Sequence, residues 1–465
     1  MLSAIFLLLY LFGVTLLAFL FQKKLKTTED FFLGSRHLSS GLIYFSLTAS
    51  WIGATSTLVA TDEAYRQGLS SLWIMALPTI ITVIILALCL VRPLRKLDFI
   101  SLPDLIEDRY GRLVRHLVSG LIIWYMVLLA SSQLVAGGKF LAQVLGINYF
   151  TALLIITGVV IIYATLGGLF SVALTDTFQF FLIFGAIFYL AISLYHHSWS
   201  SALPPLHFSR LTQNLNLLAN FRQNILICLS FVLAWVISPI SWQRIRAAST
   251  TRAAQQALWW SVPTFILYFG LIIFIGYQLK VLALPFNHSG PILSQIIQAP
   301  GPSSLRLLLF IGIIAAIMST LDTAINTGAL SLTQDVILQL VSPTSSAMIL
   351  FSRASTIIMA LLALAVAFKL QTILQALGLA SEIMAEGLFL PGLAMLFLKK
   401  KHPRAGLLAL LLGGGFALVG FLAQINLIPL KWLSWPQTLP LGVSLSALGF
   451  IIGLFLDSLN RHPSD

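Results

Sequence analysis

Charged residues are scarce in this chain of 465 residues: Asp, Glu, Lys and Arg make up only 9% of it, and 58% is hydrophobic. Soluble globular proteins usually carry about 25% charged residues, so this composition excludes a soluble protein. Cysteine is also rare. Cys89 and Cys228 both fall in apolar runs, which excludes a disulfide framework and a cysteine-based metal cluster.

The apolar runs are continuous rather than alternating, which favours membrane-spanning helices over a membrane barrel. A spanning helix needs about 20 apolar residues, so the length allows roughly a dozen. We predict an all-α polytopic membrane protein with about thirteen helices. They are expected at 2–22, 40–60, 71–91, 115–145, 149–166, 174–195, 223–243, 255–280, 305–336, 346–368, 371–398, 404–425 and 437–457.

The net charge of +12 arises from 27 Lys and Arg against 15 Asp and Glu. Most of these basic residues fall in alternate loops, among them Lys23, Lys24, Lys26, Arg36, Arg95, Arg115, Arg244, Arg246, Lys399 and Arg461. This is the pattern of the positive-inside rule, so no nucleic-acid partner is inferred. We predict a multi-pass protein of the plasma membrane bilayer, with its N-terminus outside and its C-terminus in the cytoplasm. Because the basic residues follow segment 2–22, that segment is predicted to be a retained helix rather than a signal peptide.

Two spans carry features that interrupt a helix. The second, SLTASWIGATSTLVATDEAYRQG from Ser46 to Gly68, places Gly53 among hydroxylated residues. This composition suits a broken helix that frees carbonyl groups for an ion, although close packing of small residues is the alternative. In the seventh span, Pro239 predicts a second break, with a simple kink as the alternative.

The ninth span carries a polar stripe. Ser319, Asp322, Thr323 and Asn326 follow one another at i, i+3, i+4 and i+7, on one helix face. An acid with several oxygens favours a hard cation such as Na⁺ over a transition metal. Asp322 could instead carry a proton, or the stripe could be a structural hydrogen-bond network.

Other acids in spans have several interpretations. Glu382 and Glu386 lie at i and i+4 in the eleventh span. They repel each other unless a positive group lies between them or one of them is protonated. A cationic substrate, a second ion, a buried Arg or partial hydration would each account for the pair. Asp176 begins the sixth helix, where it could act as a helix cap.

Several segments resemble the sodium:solute symporter family, which includes bacterial proline and sugar symporters and the choline transporter. YATLGGLFSVALTDTFQ, from Tyr163 to Gln179, resembles the family signature between the fifth and sixth helices. AAIMSTLDTAINTGALSLTQD, residues 315–335, is similar to its sodium-site helix. The second span and the stretches WQRIRAAS and LFLKKKHPRAG also fit, in the same order as in the family.

The resemblance implies the LeuT-type architecture, in which two inverted five-helix repeats cross and the first helix of each is broken. In this chain, residues 1–465 would form one transmembrane transporter domain. The repeats would cover about 40–195 and 223–398, with extra helices at 2–22 and 404–457. The implied breaks fall near Gly53 and Pro239, which the residues alone already indicate.

The resemblance also implies ion sites. The implied sodium site consists of the carbonyl groups of Ala49, Ile52 and Ala316 and the hydroxyl groups of Ser319 and Thr320. Asp176 matches a family aspartate associated with the ion route or with a second sodium. Asp322 and Thr323 lie where some members place a second ion, so a second sodium or a proton site is expected there.

The substrate residues depart from those of sugar-transporting members. The asparagine and glutamine that hold sugar there correspond to Ser238 and Gly378, which disfavours a hexose. TASWIGA and DEAYRQG resemble the choline-transporter branch, where Trp51 would contribute to an aromatic cage, although Ile81 and Leu129 match its other aromatic positions. The expected substrate residues are Trp51, Ser56, Ser238, Trp242, Glu382 and Glu386.

These features predict a sodium-coupled symporter, with Na⁺ as coupling ion, that imports a small organic solute such as an amine, a zwitterion or an amino acid. A proton-coupled symporter that uses Asp322 is the first alternative, and a ligand sensor with the same fold is the second. The spans contain no nucleophile–base pair and no histidine cluster, so we do not expect an enzyme.

Overall fold

The computed structural model describes residues 2–22, 27–200, 215–282, 286, 290–299, 302–341, 344–369, 372–398, 400–424, 427–430, 433 and 435–459. Within these ranges the chain is helical and forms no β-strand. The predicted loop residues Lys23, Lys24, Lys26, Lys399 and Arg461 lie outside the described residues.

The apolar runs form helices because a helix satisfies its backbone hydrogen bonds internally, as lipid requires. The first helices are α1 (Leu2–Gln22), α2 (Ser40–Trp51), α3 (Ala60–Gln67), α4 (Ala76–Ile85, then Leu86–Leu90 and Val91–Lys96), α5 (Arg112–Leu145), α6 (Tyr149–Leu166) and α7 (Gly168–His196). They are followed by α8 (Phe221–Val236), α9 (Pro239–Ala247), α10 (Thr251–Val281), α11 (Ser303–Leu340) and α12 (Ser345–Ala367). The last are α13 (Ile373–Ile383, then Met384–Leu388 and Phe389–Phe397), α14 (Pro403–Gln424) and α15 (Leu439–Leu459).

Eleven helical segments of the described chain are long and apolar enough to cross a membrane. The predicted all-α polytopic class is confirmed, and the predicted number of thirteen is approximate. The outward faces of the peripheral helices carry exposed apolar side chains such as Phe12, Phe181 and Ile451, as expected for contact with acyl chains. Short helices at Thr28–Leu33, Leu102–Tyr110 and Ile292–Gln298 lie between the spans.

Both predicted helix breaks are confirmed. Helix α2 ends at Trp51, and a π-helical turn at Thr55–Val59 leads into α3. A side chain at Gly53 would run into the Thr320 hydroxyl and would lie 2.8 Å from Gln133 Oε1, so a larger residue fits at the break only if these side chains move. Helix α8 ends at Val236 and α9 begins at Pro239.

Helix α11 lies at the centre of the bundle, where it packs against α2, α5, α6 and α7. Most of its side chains between Leu309 and Ser331 are buried. On one side of the bundle, Leu38 donates its N–H to the Ala247 carbonyl at 3.1 Å, and Ser249 donates its N–H to the Leu38 carbonyl at 2.9 Å. These two bonds join the segment before α2 to the segment after α9.

Candidate sodium and solute site

The polar face of α11 meets the broken end of α2. Ser319 Oγ donates a hydrogen bond to the Ala49 carbonyl at 3.0 Å and approaches the Ala316 carbonyl at 3.1 Å. Thr320 Oγ1 lies 2.9 Å from the Ser50 carbonyl. The structure therefore brings four of the predicted sodium ligands together. The fifth, Ile52, is the next residue after the last turn of α2, and its N–H is 3.1 Å from the Ala49 carbonyl.

This cluster suits a small hard cation. A helix end leaves carbonyl groups without partners in the helix, and the break after Trp51 places such an end inside the bundle. The hydroxyl and carbonyl oxygens are the ligand types that Na⁺ shares with other hard cations. A cation here would contact α2 and α11 at once, because each helix supplies part of the ligand set.

The residues of the predicted second ion site surround a buried arginine. Arg244 Nη2 lies 3.7 Å from Asp176 Oδ2 and donates to Thr323 Oγ1 at 2.8 Å. Ser46 Oγ donates to the same Asp176 oxygen at 2.6 Å. A guanidinium group thus occupies the space between Asp176 and Thr323. The assignment of Arg244 to an inner loop is wrong, because its side chain is only 1% exposed within α9.

The Asp322 side chain contacts a different partner from the Thr323 side chain. Its Oδ2 accepts a hydrogen bond from the Tyr163 hydroxyl at 2.8 Å, and no side chain of the described residues donates to its Oδ1. Both side chains are buried. The predicted second-ion residues therefore separate into two polar contacts, of which one contains Arg244 and the other Tyr163.

A cavity that opens in part to solvent lies beside the predicted sodium ligands, and the empty space in it, including the open part, is about 480 Å³. Its lining includes Trp51, Ser56 and Ser238, three of the expected substrate residues. Ser50 and Thr320 also line it, so the cavity and the cation cluster share residues. The other lining residues are Gly53, Thr55, Met75, Thr79, Tyr125, Leu129, Gln133, Trp235, Ile240 and Leu377.

Sequence reasoning missed three polar or aromatic residues of the cavity: Trp235, Tyr125 and Gln133. The Trp235 ring centroid is 5.6 Å from that of Trp51, and Trp235 stacks on Phe231 at 4.8 Å. Gln133 Oε1 accepts the Ala54 N–H at 2.8 Å, at the start of the second half of the broken helix. The signals were present in the sequence, because Gln133 is a polar residue in an apolar span and Trp235 precedes the Pro239 break by about one turn.

Trp242, Glu382 and Glu386 are not brought to this cavity. Trp242 is buried on the other side of the break, where its Nε1 donates to the Val236 carbonyl at 2.9 Å. The two glutamates face α14 and α15. Leu377 lines the cavity, and at 3.6 residues per turn a residue nine positions later lies on roughly the opposite helix face. Glu386 is that residue.

Gly378 is covered by an aromatic ring from a distant part of the chain. A side chain at this position would meet the ring atoms of Trp435 at 2.6 Å. Trp435 is fixed in place because its Nε1 donates to Ser230 Oγ on α8 at 3.1 Å. The position that corresponds to the sugar-binding glutamine therefore has no space for a long polar side chain.

Comparisons with known proteins show which family the chain resembles. The family model described as "Sodium:solute symporter family" matches residues 31–413. The high-affinity proline transporter PutP of Bacillus subtilis strain 168 is 28% identical over 201 residues, which cover 39% of this chain and 40% of that protein. The sodium/glucose cotransporter of Vibrio parahaemolyticus is 25% identical over 419 residues, or 80% of this chain and 75% of that protein. These relatives are transporters rather than enzymes.

The match to PutP spans less than half the length of that relative. Among solved structures, a substrate-bound outward-open state of a Na⁺-coupled sialic acid symporter has a TM-score of 0.81 at 18% identity, covering 99% of this chain and 98% of that one. That likeness concerns the fold, which is of the LeuT type. The family match over most of the chain, together with a fold and a broken-helix site that agree with it, means that this multi-pass membrane protein belongs to the sodium:solute symporter family.

Proposed function

We propose that this protein imports a small organic solute by symport with sodium. The observation that carries the proposal is the position of Thr320. Its hydroxyl belongs to the cluster at the α2 break, 2.9 Å from the Ser50 carbonyl, and its side chain also lines the solute cavity. Occupation of one site therefore changes the wall of the other.

The coupling follows from this shared wall. Sodium would hold the broken end of α2 against α11 and so fix the shape of the cavity in which the solute binds. We propose that α2–α7 and α8–α13, about 40–195 and 223–398, act as the two inverted repeats and that one moves against the other to open the site alternately. Each sodium charge driven inward by the membrane potential contributes about 2.3 kcal/mol per 100 mV.

We propose one sodium ion per cycle, bound at the α2–α11 cluster. Arg244 places a fixed positive charge 3.7 Å from Asp176 and hydrogen-bonds Thr323. A second sodium at Asp176 would have to bind beside this guanidinium, and two cations so close in a buried site repel each other. The carboxylate instead has a permanent counter-ion.

We propose an amine, a zwitterion or an amino-acid-like compound as the solute. No charged side chain lines the cavity among the described residues, and the polar groups of its lining side chains are hydroxyls, one amide and two indole N–H groups. The faces of Trp51, Trp235 and Tyr125 can bind a cationic group without a carboxylate. Ser238 and the covered Gly378 provide little hydrogen bonding for a hexose.

We propose an orientation with the N-terminus outside. Arg36 before α2, Arg95 in the last turn of α4 and Asp98 after α4 lie on the same side of the bundle as Arg246. This concentration of arginine is the one that the positive-inside rule places at the cytoplasmic surface.

Thermal unfolding of the purified protein tests the function. The melting temperature would be measured with amines, amino acids, carboxylates and sugars, in Na⁺ and in K⁺ at equal ionic strength. A ligand that binds the folded state raises the melting temperature by mass action. We expect an amine or zwitterion to stabilise the protein in Na⁺ only; equal behaviour in both salts for every ligand would contradict sodium coupling.

Proton coupling through Asp322 is the second candidate function. The observation in its favour is the buried Asp322 Oδ1, to which no side chain of the described residues donates. In that case uptake into proteoliposomes would follow a pH gradient and would not need sodium. Asp322→Asn would then abolish uptake, whereas under sodium coupling it should leave the sodium dependence in place.

A further inference from the structure

A second group of buried polar side chains lies away from the sodium and solute site, between α13, α14 and α15. Glu382 and Glu386 occupy successive turns of α13 and are 1% and 0% exposed. The Thr438 hydroxyl, at the start of α15, donates to Glu382 Oε1. No N–H or O–H group of the described residues donates a hydrogen bond to either oxygen of Glu386.

Helix α15 presents small and hydroxylated residues to these carboxyl groups. Thr438, Gly442 and Ser446 are spaced four residues apart, on one face of the helix. A side chain at Gly442 would overlap the Glu386 carboxyl, and a side chain at Gly413 on α14 would overlap the Glu386 backbone and approach Ser446 Cβ at 2.7 Å. The Ser446 hydroxyl is buried and has no hydrogen-bond partner among the residues that the structure describes. An unpaired hydroxyl therefore lies on the α15 face that Glu386 contacts.

No basic group of the described residues compensates the two acids. The helices packed against this part of α13 are α5, α8, α14 and α15. Arg115, at the start of α5, forms an ion pair with Asp104. Arg404 lies beside Asp457, at the end of α15 that is far from Thr438. Within the described parts of the chain, the only charged neighbour of each glutamate is the other glutamate.

Two ionised carboxylates cannot share this environment. Like charges on adjacent turns repel, and burial without a counter-ion disfavours each charge further. A single proton removes both problems, because a carboxylic acid donates a strong hydrogen bond to the neighbouring carboxylate. A metal ion would need several oxygen ligands around it, whereas Glu386 lies directly against the glycine backbone of α15.

We propose that Glu382 and Glu386 form a proton-binding site, in which one proton is held between the two carboxyl groups and the pair carries a single negative charge. The proton comes from water and returns to water, so that the pair gains one negative charge when it leaves. This site is separate from the sodium cluster and from the solute cavity. Release of the proton places two negative charges at the α13–α15 contact and weakens the packing of the last helices.

Infrared spectroscopy of the full chain in lipid nanodiscs tests the proposal. The wild type is expected to show the C=O stretch of a protonated carboxyl group, with the shift that H/D exchange produces, and to lose it in a single step as the pH is raised. Glu386→Gln and Glu382→Gln should each remove this step. Asp457→Asn, at the far end of α15, is the matched control and should retain it.

Thr438→Val provides a second measurement. It removes the hydroxyl donor that stabilises ionised Glu382, so the proton should be released at a pH about one unit higher. A variant that retains the Na⁺-dependent melting shift has kept its fold. If neither glutamine variant folds, Thr438→Val alone tests whether the two glutamates share a proton. An unchanged release step in Glu386→Gln or Thr438→Val would overturn the proposal. Stabilisation of the wild type by Ca²⁺ that is lost in Glu386→Gln would also overturn it, in favour of a metal site.

Discussion

Arg244 on α9 and Asp176 on α7 form a fully buried ion pair, with Nη2 and Oδ2 3.7 Å apart. Each belongs to a different proposed repeat, so the pair is a charged contact between the two halves. Arg244 Nη2 also donates to Thr323 on α11 at 2.8 Å, and Ser50 Oγ on α2 lies 2.9 Å from Thr323 Oγ1. The pair thereby connects the helices that would hold sodium.

Arg244→Gln should strongly destabilise the protein, because it leaves the Asp176 carboxylate buried without a counter-ion. Removing one partner of a buried pair costs about 3–5 kcal/mol, which a thermal or denaturant unfolding measurement would detect. Under the one-sodium proposal, the variant should also gain a second sodium dependence as a cation replaces the guanidinium. A sodium dependence with the same Hill coefficient as the wild type would contradict that part.

Ser319→Ala and Thr320→Ala should each weaken sodium binding, because each removes one oxygen from the cluster at the α2 break. A loss of about 1.4 kcal/mol corresponds to a tenfold higher sodium dissociation constant, measurable as the sodium concentration that gives half of the melting shift. Thr165→Ala is the control, since that hydroxyl only bonds carbonyls of its own helix. Sodium affinity unchanged in both variants would rule out this ligand set.

Gly53→Ala should damage both sites together. The added methyl group would overlap the Thr320 hydroxyl and crowd Gln133, which accepts the Ala54 N–H. Overpacking of this kind costs about 1–3 kcal/mol. Gly41→Ala, at the start of α2, is the control because its surroundings are open. Melting curves with sodium should show a smaller sodium shift for Gly53→Ala alone, and an equal shift in both variants would contradict the geometry.

Gly378→Gln should fail to create a sugar site. The side chain would meet the Trp435 ring, so we expect a loss of stability of about 1–3 kcal/mol and no melting shift with hexoses. The double variant Gly378→Gln with Trp435→Ala should recover much of the loss, because it removes the obstructing ring. Full stability of the single variant would show that Trp435 does not cover this position.

Asp98 provides a pH-dependent contact outside the spans. Its hydrogen bond from Arg36, at 2.7 Å, lowers the pKa of the Asp98 carboxyl. A lowered pKa in the folded state stabilises the protein above the ordinary carboxyl range, and this contribution is lost as the pH falls through the lowered value. Asp98→Asn should therefore cost at most about 1 kcal/mol at neutral pH and nothing in strong acid. A cost that persists in acid would contradict an ionic contact.

The helices and the breaks could be predicted from the sequence because lipid leaves few choices. Apolar runs long enough to span must be helical, and Pro239 and Gly53 interrupt helices for local steric reasons. The contact between the hydroxyl groups of α11 and the end of α2 was also predictable in outline, since hydroxyl groups on one helix face have little reason to occur in a span without polar partners.

The partners of the charged residues were not predictable in this way. Arg244 lies in a basic stretch after a span, and only the three-dimensional path of α9 turns it toward Asp176. Likewise, the direction of Glu386 depends on which face of α13 meets the cavity. Leu377 lies on that face, so Glu386 points away from the cavity. The contact of Trp435 with Gly378 joins residues far apart in the sequence, and neither residue alone indicates it.

The two hydrogen bonds between Leu38 and the residues around Ala248 are made by backbone atoms alone. They join the start of one interrupted helix to the end of the other, next to the side that we propose faces the cytoplasm. Because no side chain takes part, ordinary point substitutions leave these hydrogen bonds in place. Only proline or a change of chain length would remove them. The two interrupted helices are therefore coupled at this end. An opening of the inner passage has to move both helices together or break these two hydrogen bonds.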